Sequence, residues 1–178
     1  MKNLFIITIV FVAFTSNAQL YKNKNINVVF FSETPIENIE AVAKKASSVI
    51  NFESDSLVIK IPQTEFHFKK SLMEEHYNEN YMESTKYPYA VFRGKFDPKI
   101  DPKIPATHKV KVKGYLEIHG VRQNREIEGT IDVSDVVNIH SVFFVKTADH
   151  NIEIPKIVFS NIAESIKVTI DGQYVFLK

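Results

Sequence analysis

The sequence predicts an all-β chain, an antiparallel meander with one or two short helices, and three observations point there. From Ala90 onward, apolar and polar residues alternate with period two through most of the chain. Turn signals such as His119-Gly120 and Ser134-Asp135 separate the runs. The runs follow one another without the helical crossovers that a parallel sheet requires, so the strands pair antiparallel.

The first residues read as a targeting segment rather than as part of that fold. Lys2 supplies a positive start, Leu4 to Phe14 an apolar run, and Ser16-Asn17-Ala18 a small-x-small cleavage pattern before Gln19. A membrane anchor needs about 18 or more apolar residues, which this run lacks. The chain contains no cysteine, so neither an acyl anchor nor a disulfide is available. Residues 1–18 are therefore expected to be cleaved. Residues 19–178 are expected to form one soluble domain, periplasmic or secreted, with no integral membrane segment. Removing Lys2 leaves 21 basic and 21 acidic residues, and that balance argues against nucleic acid or an anionic membrane as partner.

The early strands are expected at Asn25 to Phe31, about Ala46 to Phe52, and Leu57 to Phe68 with Pro62 as an interruption. Between the first two, Ile39, Val42, Ala43 and Ala46 recur at helical spacing. A meander nevertheless needs an extended partner between Phe31 and Ser56, and Ile36 to Ala46 is assigned as strand because pairing overrides propensity. Ser71 and Glu74 form an S-x-x-E capping pattern that starts a helix. Met73, Tyr77 and Tyr81 then recur every fourth residue, with Leu72 and His76 beside them, as an oily stripe on a helix otherwise rich in Glu and Asn. Pro88 ends helical geometry by Tyr87.

Strand periodicity follows. Ala90, Phe92, Gly94 and Phe96 share one face, and Val91, Arg93 and Lys95 the other. Asp97 to His108 holds three prolines and reads as a long exposed loop. Val110, Val112, Gly114, Leu116 and Ile118 make the best-patterned strand, and Ile127, Gly129, Ile131 and Val133 continue it after the His-Gly turn. Ile139 to Lys146 and Ile166 to Phe176 complete the set.

Catalytic signals are weak. His67, His76, His108, His119, His140 and His150 are scattered, with no H-E-x-x-H and no paired metal spacing. Glu75, His76 and Glu79 read as a solvated helix face, His119 as a turn residue and Ser71 as a helix cap. There is no Cys nucleophile and no G-x-S-x-G elbow. No catalytic residue, metal or cofactor is expected.

Two stretches resemble the YceI-like family of lipid-binding proteins. They are Ser71 to Phe96, and Lys113-Gly114-Tyr115-Leu116-Glu117-Ile118-His119-Gly120-Val121. Phe31-Ser32 with Pro35 and Glu37 is similar to the family's N-terminal pattern. The resemblance implies an extended, eight-stranded antiparallel β-barrel, lipocalin-like, with a helix packed near its mouth. It also implies a long-chain apolar lipid held inside, of isoprenoid type (a polyisoprenoid or an isoprenoid quinone) or a fatty-acid derivative, carried, stored or used in stress response. Tyr77 stands where many members have Phe, which puts a hydroxyl near the mouth, and the proline-rich loop is this chain's own elaboration.

On that resemblance the cavity lining is expected to comprise Phe30, Phe66, Phe68, Met73, Tyr77 and Tyr81 near the helix. Phe92, Gly114, Leu116, Ile118 and Phe143 are expected to line the barrel wall. Gly94, Gly114, Gly129 and Gly172 fall on apolar faces, where they either leave volume for a ligand or mark bulges and corners. A Phe at Gly114 is expected to fill the cavity and leave a folded protein. Two other readings compete: an exported interaction module using the aromatic helix and proline-rich loop, and a hydrolase or isomerase acting on a barrel-bound lipid. Monomer and homodimer are both compatible with the sequence.

Overall fold

The computed structural model describes residues 19–155 and 161–177, so the expected targeting segment lies outside the described residues. Ten strand segments form one antiparallel sheet: β1 (Leu20–Glu33), β2 (Asn38–Ala43), β3 (Ser47–Asn51), β4 (Ser56–Pro62), β5 (His67–Phe68), β6 (Tyr89–Asp97), β7 (Ala106–Ile118), β8 (Val121–Val133), β9 (Val137–Lys146) and β10 (Ser165–Phe176). Among the described residues one α-helix, α1 (Ser71–His76), lies between β5 and β6. Pairing of β1 with β10 closes the sheet into an eight-strand barrel, because two of the eight strands are each broken in two.

The first break separates β2 from β3 at Lys44-Lys45-Ala46, and both halves pair with the long β1. Asn23 bridges the gap with its side chain. Its amide donates to the Ala46 carbonyl (3.0 Å), and its oxygen accepts from the Ser48 N–H (2.8 Å). The carboxamide thus supplies the donor and acceptor that the missing rungs would have provided. Extended structure over Asn38–Ala43 agrees with the strand assignment for that segment, where sheet pairing outweighs its helical spacing.

Pro62 makes the second break. It has no N–H to give a ladder, and a tight turn over Gln63–Glu65 separates β4, which pairs with β6, from β5, which pairs with β2. The Gln63 N–H donates to the Pro88 carbonyl (2.9 Å), which fastens this turn to the start of β6.

Three expectations need correction. Ser71 makes no capping bond. Lys70, in extended geometry, occupies the cap position, and the Glu74 carboxylate reaches past it to accept from the Phe68 N–H (3.0 Å). The helix start is therefore held by the end of β5 rather than by its own serine. Strand structure covers Asp97 and resumes at Ala106, so the loop is shorter than Asp97 to His108. Nor is the loop fully exposed: Ile104 is 61% exposed, but Ile100 is 4% exposed and joins the core.

Toward one end of the barrel the rings of Tyr21, Phe52 and Phe96 pack edge to face at 5.2 and 5.7 Å. Tyr174 is fully buried, and its hydroxyl donates to Ser48 Oγ (2.6 Å), which in turn donates to the Val58 carbonyl (2.8 Å). At the other end, β7 and β8 pair over their whole length and turn at His119 and Gly120, with φ of 51° and 72°. Positive φ at both positions is what a tight two-residue hairpin of that twist demands, which agrees with reading His119 as a turn residue. β8 pairs with β9 only over Gly129–Val133, so the wall splits above that rung.

Candidate functional site

Alternation along the strands points one side chain in two toward the barrel axis, and near the His119 end those side chains enclose a cavity of about 320 Å³. Val28 and Phe30 line it from β1, Ile59 and Ile61 from β4, Ala90 and Phe92 from β6, and Leu116 and Ile118 from β7. Ile127 and Ile131 of β8, Ile139 and Phe143 of β9, and Val168 and Ile170 of β10 complete the wall. The lining also includes Glu128, Gly129, Thr130, His140 and Ser141, where the β8–β9 ladder ends.

The helix caps one side of this space. After His76 the backbone widens into a π turn over Tyr77–Tyr81, closed by the Met82 N–H donating to the Tyr77 carbonyl (2.8 Å). The wider turn keeps Met73, Tyr77 and Tyr81 all on the lining, together with His76 and Met82. Leu72, expected beside the stripe, points away and is 59% exposed. Glu75 and Glu79 are also exposed, as a solvated face requires.

Tyr77 is the centre of an aromatic cluster. Its ring lies 5.5 Å from Phe30, 5.8 Å from Phe66 and 5.1 Å from Phe68. Its hydroxyl donates to Gln63 Oε1 (2.6 Å), and burial pushes the phenol well above its ordinary pKa, so the proton stays on. Gln63 is itself 1% exposed, and its amide nitrogen has no partner among the described residues. Ser32, equally buried, accepts from the Ala163 N–H (2.8 Å).

The cavity thus brings together Phe30, Phe66, Phe68, Met73, Tyr77, Tyr81, Phe92, Leu116, Ile118 and Phe143. Gly114 is not among its lining residues. A Cβ there would lie 1.9 Å from the Arg93 carbonyl oxygen, so this glycine serves close approach of two backbones and leaves no cavity volume. The expectation that Phe at 114 would fill the cavity and fold is corrected accordingly. The isoleucines of β8, β9 and β10 extend the expected lining, and their alternation carried that signal. Gln63 had none, since a polar residue after proline reads as a turn.

Beside the mouth, the Glu83 carboxylate meets His119 Nε2 at 2.8 Å, and the Tyr87 ring packs on the imidazole at 4.4 Å. The hydrogen bond from His119 holds the Glu83 carboxyl below the usual carboxylate range. His119 Nδ1 faces the carbonyl of His150, whose own ring is fully buried against the Val121 carbonyl. These contacts tie the segment after the helix to the β7–β8 turn. Among the described residues no group of three His, Cys, Asp or Glu could hold a metal ion, and no helix is long and apolar enough to cross a membrane.

Several solved structures share this architecture. A polyisoprenoid-binding domain from Saccharophagus degradans, implicated in plant cell wall breakdown, is 14% identical with a TM-score of 0.76, covering 88% of this chain and 98% of that one. BcnA of Burkholderia cenocepacia is 17% identical at a TM-score of 0.71, over 83% and 95%. The YCEI protein of Campylobacter jejuni is 17% identical at 0.59, over 100% and 94%. At these identities the likeness establishes the fold. No curated protein matches the chain. The YceI-like domain model matches residues 21–174, nearly the whole described barrel, and the chain belongs to the YceI-like family.

Proposed function

We propose that this protein is an exported, non-enzymatic binder of a long-chain apolar lipid held in the barrel. The observation that carries this reading is the predominantly apolar lining of the cavity, supplied by every strand segment except β3 and by the helical cap. Each methylene buried there is worth about 0.8 kcal/mol, so ten offer roughly 8 kcal/mol before ordering costs. A tail alone supplies enough driving force. The polyisoprenoid-binding description of the Saccharophagus domain supports the same ligand class. The aromatic stripe that a protein-interaction module would have to present is instead turned into the lining.

Export rests on the N-terminal pattern, and intact-mass analysis of exported protein is expected to show a chain beginning at Gln19. Organic extraction of purified protein followed by mass spectrometry tests the binding itself. A stoichiometric long-chain lipid is expected, and repeated extraction of protein with none would remove the reading.

A further inference from the structure

We propose that the Gln63–Tyr77 pair is the polar anchor of the cavity and selects a lipid that carries a neutral hydrogen-bond acceptor, such as a carbonyl oxygen, over one that is pure hydrocarbon. This rests on the lipid-binding reading above and names the chemistry the ligand must bring.

The pair has more donors than it can use. Gln63 offers two amide protons and Tyr77 one hydroxyl proton, and a single bond, from the Tyr77 hydroxyl to Gln63 Oε1 (2.6 Å), is formed between them. The amide nitrogen is sealed from water and has no partner among the described residues. Turning the amide over leaves the count unchanged in kind: Nε2 would donate to the phenol oxygen, and the phenol proton would then lack an acceptor. A buried donor left unbonded is destabilising, and an acceptor on the ligand removes that cost.

Both partners are fixed. The Gln63 backbone is spent on Pro88 and Phe66, and the Tyr77 ring is stacked among Phe30, Phe66 and Phe68. Both residues line the cavity. The surroundings also set the charge of the acceptor. Among the described residues no lysine or arginine lines the cavity, and the two glutamates on its lining, Glu37 and Glu128, are already paired with Lys70 (2.8 Å) and Lys111 (3.1 Å). A carboxylate or phosphate drawn to the pair would be buried without a counter-ion. Burial likewise keeps the Tyr77 phenol protonated, so the pair can donate and carries no charge.

The test uses three chain-matched probes, a long-chain methyl ketone, the corresponding hydrocarbon and the corresponding fatty acid, titrated into delipidated mature protein. Wild-type protein is expected to hold the ketone about tenfold tighter than the hydrocarbon, the value of one neutral hydrogen bond, and tighter than the fatty acid. The double variant Gln63→Leu/Tyr77→Phe removes both polar groups together and leaves no orphan. It is expected to bind ketone and hydrocarbon equally. A merely structural pair would lower all three affinities and preserve their ratio. Equal binding of ketone and hydrocarbon by wild type, a preference that survives in the double variant, or a fatty acid that outcompetes the ketone would each overturn the inference. Failure of wild type to bind any of the three would instead remove the lipid-binding reading, and this inference with it.

Discussion

Gly94 and Gly114 face each other across the β6–β7 ladder, and a Cβ built on Gly114 would fall 2.5 Å from the Gly94 Cα and 1.9 Å from the Arg93 carbonyl oxygen. Two backbones meet there more closely than any side chain permits. Gly114→Phe is therefore expected to give no folded protein, and Gly114→Ala to lose about 3 kcal/mol, the upper range for overpacking. Gly172→Ala serves as the contrast, because its Cβ would meet side-chain atoms of Tyr174 and Ile139 at 3.0 and 3.2 Å. Those can yield, so its loss is expected to be smaller. Thermal melts of the three variants check the order, and a Gly114→Ala as stable as Gly172→Ala would contradict it.

Truncations separate the hollow part of the barrel from the packed part. Ile50 is fully buried and lies outside the cavity lining, so Ile50→Ala is expected to cost about 2–5 kcal/mol. Leu116 is nearly as buried, yet one side of it faces the cavity. Leu116→Ala is expected to cost less than Ile50→Ala and to enlarge the space for ligand. Denaturant titrations compare the two, and equal losses would mean that Leu116 sits in a packed core.

The helical stripe is expected to matter to binding and the helix charges not. Met73→Ala or Tyr81→Ala removes apolar contact from the cavity lining and should weaken lipid retention. Glu75→Gln and Glu79→Gln change exposed groups and should leave it intact. Quantifying co-purified lipid by mass spectrometry distinguishes them. Loss of retention on the glutamate changes would point to a charged head group at the helix.

Acid should weaken the mouth. Burial holds the His150 imidazole below its ordinary value of 6.5; Arg125 lowers it further, while Asp149 and the backbone carbonyls of Val121 and Ile118 oppose the shift. Below that ordinary value the unfolded chain binds a proton that the folded chain refuses, so stability present above it is lost as pH falls. Melting temperature is expected to drop as pH falls through the ordinary imidazole value of 6.5 and below it, and the drop should be smaller in His150→Gln. Glu83 adds to the trend at lower pH: its depressed carboxyl loses its contribution only as pH falls through the folded value. An unchanged pH slope in His150→Gln would assign the acid sensitivity elsewhere.

Strong alternation is legible in the sequence because it needs no tertiary information. Val110 to Ile118, Ile127 to Val133 and the His119-Gly120 turn follow from period two and turn chemistry alone, and the structure places them as β7, the hairpin and β8. The apolar identity of the cavity wall follows from the same alternation. Features that depend on a distant partner were not legible. Ser71 has the spacing of a cap, yet β5 brings the Phe68 N–H to Glu74 and that contact sets the helix start. Ile100 sits in a proline-rich polar stretch, and only the folded chain brings it into the core cluster.

The sequence by itself determined the strand faces, the hairpin and the aromatic stripe of the helix, since each depends on neighbours within a few residues. Only the tertiary structure decided which glycine is a contact and which a lining position, how Asn23 mends a broken strand, and that Gln63 meets Tyr77 from fourteen residues away. Barrel closure brings those groups together, and the free energy of a buried donor or an excluded Cβ exists only after the strands have paired.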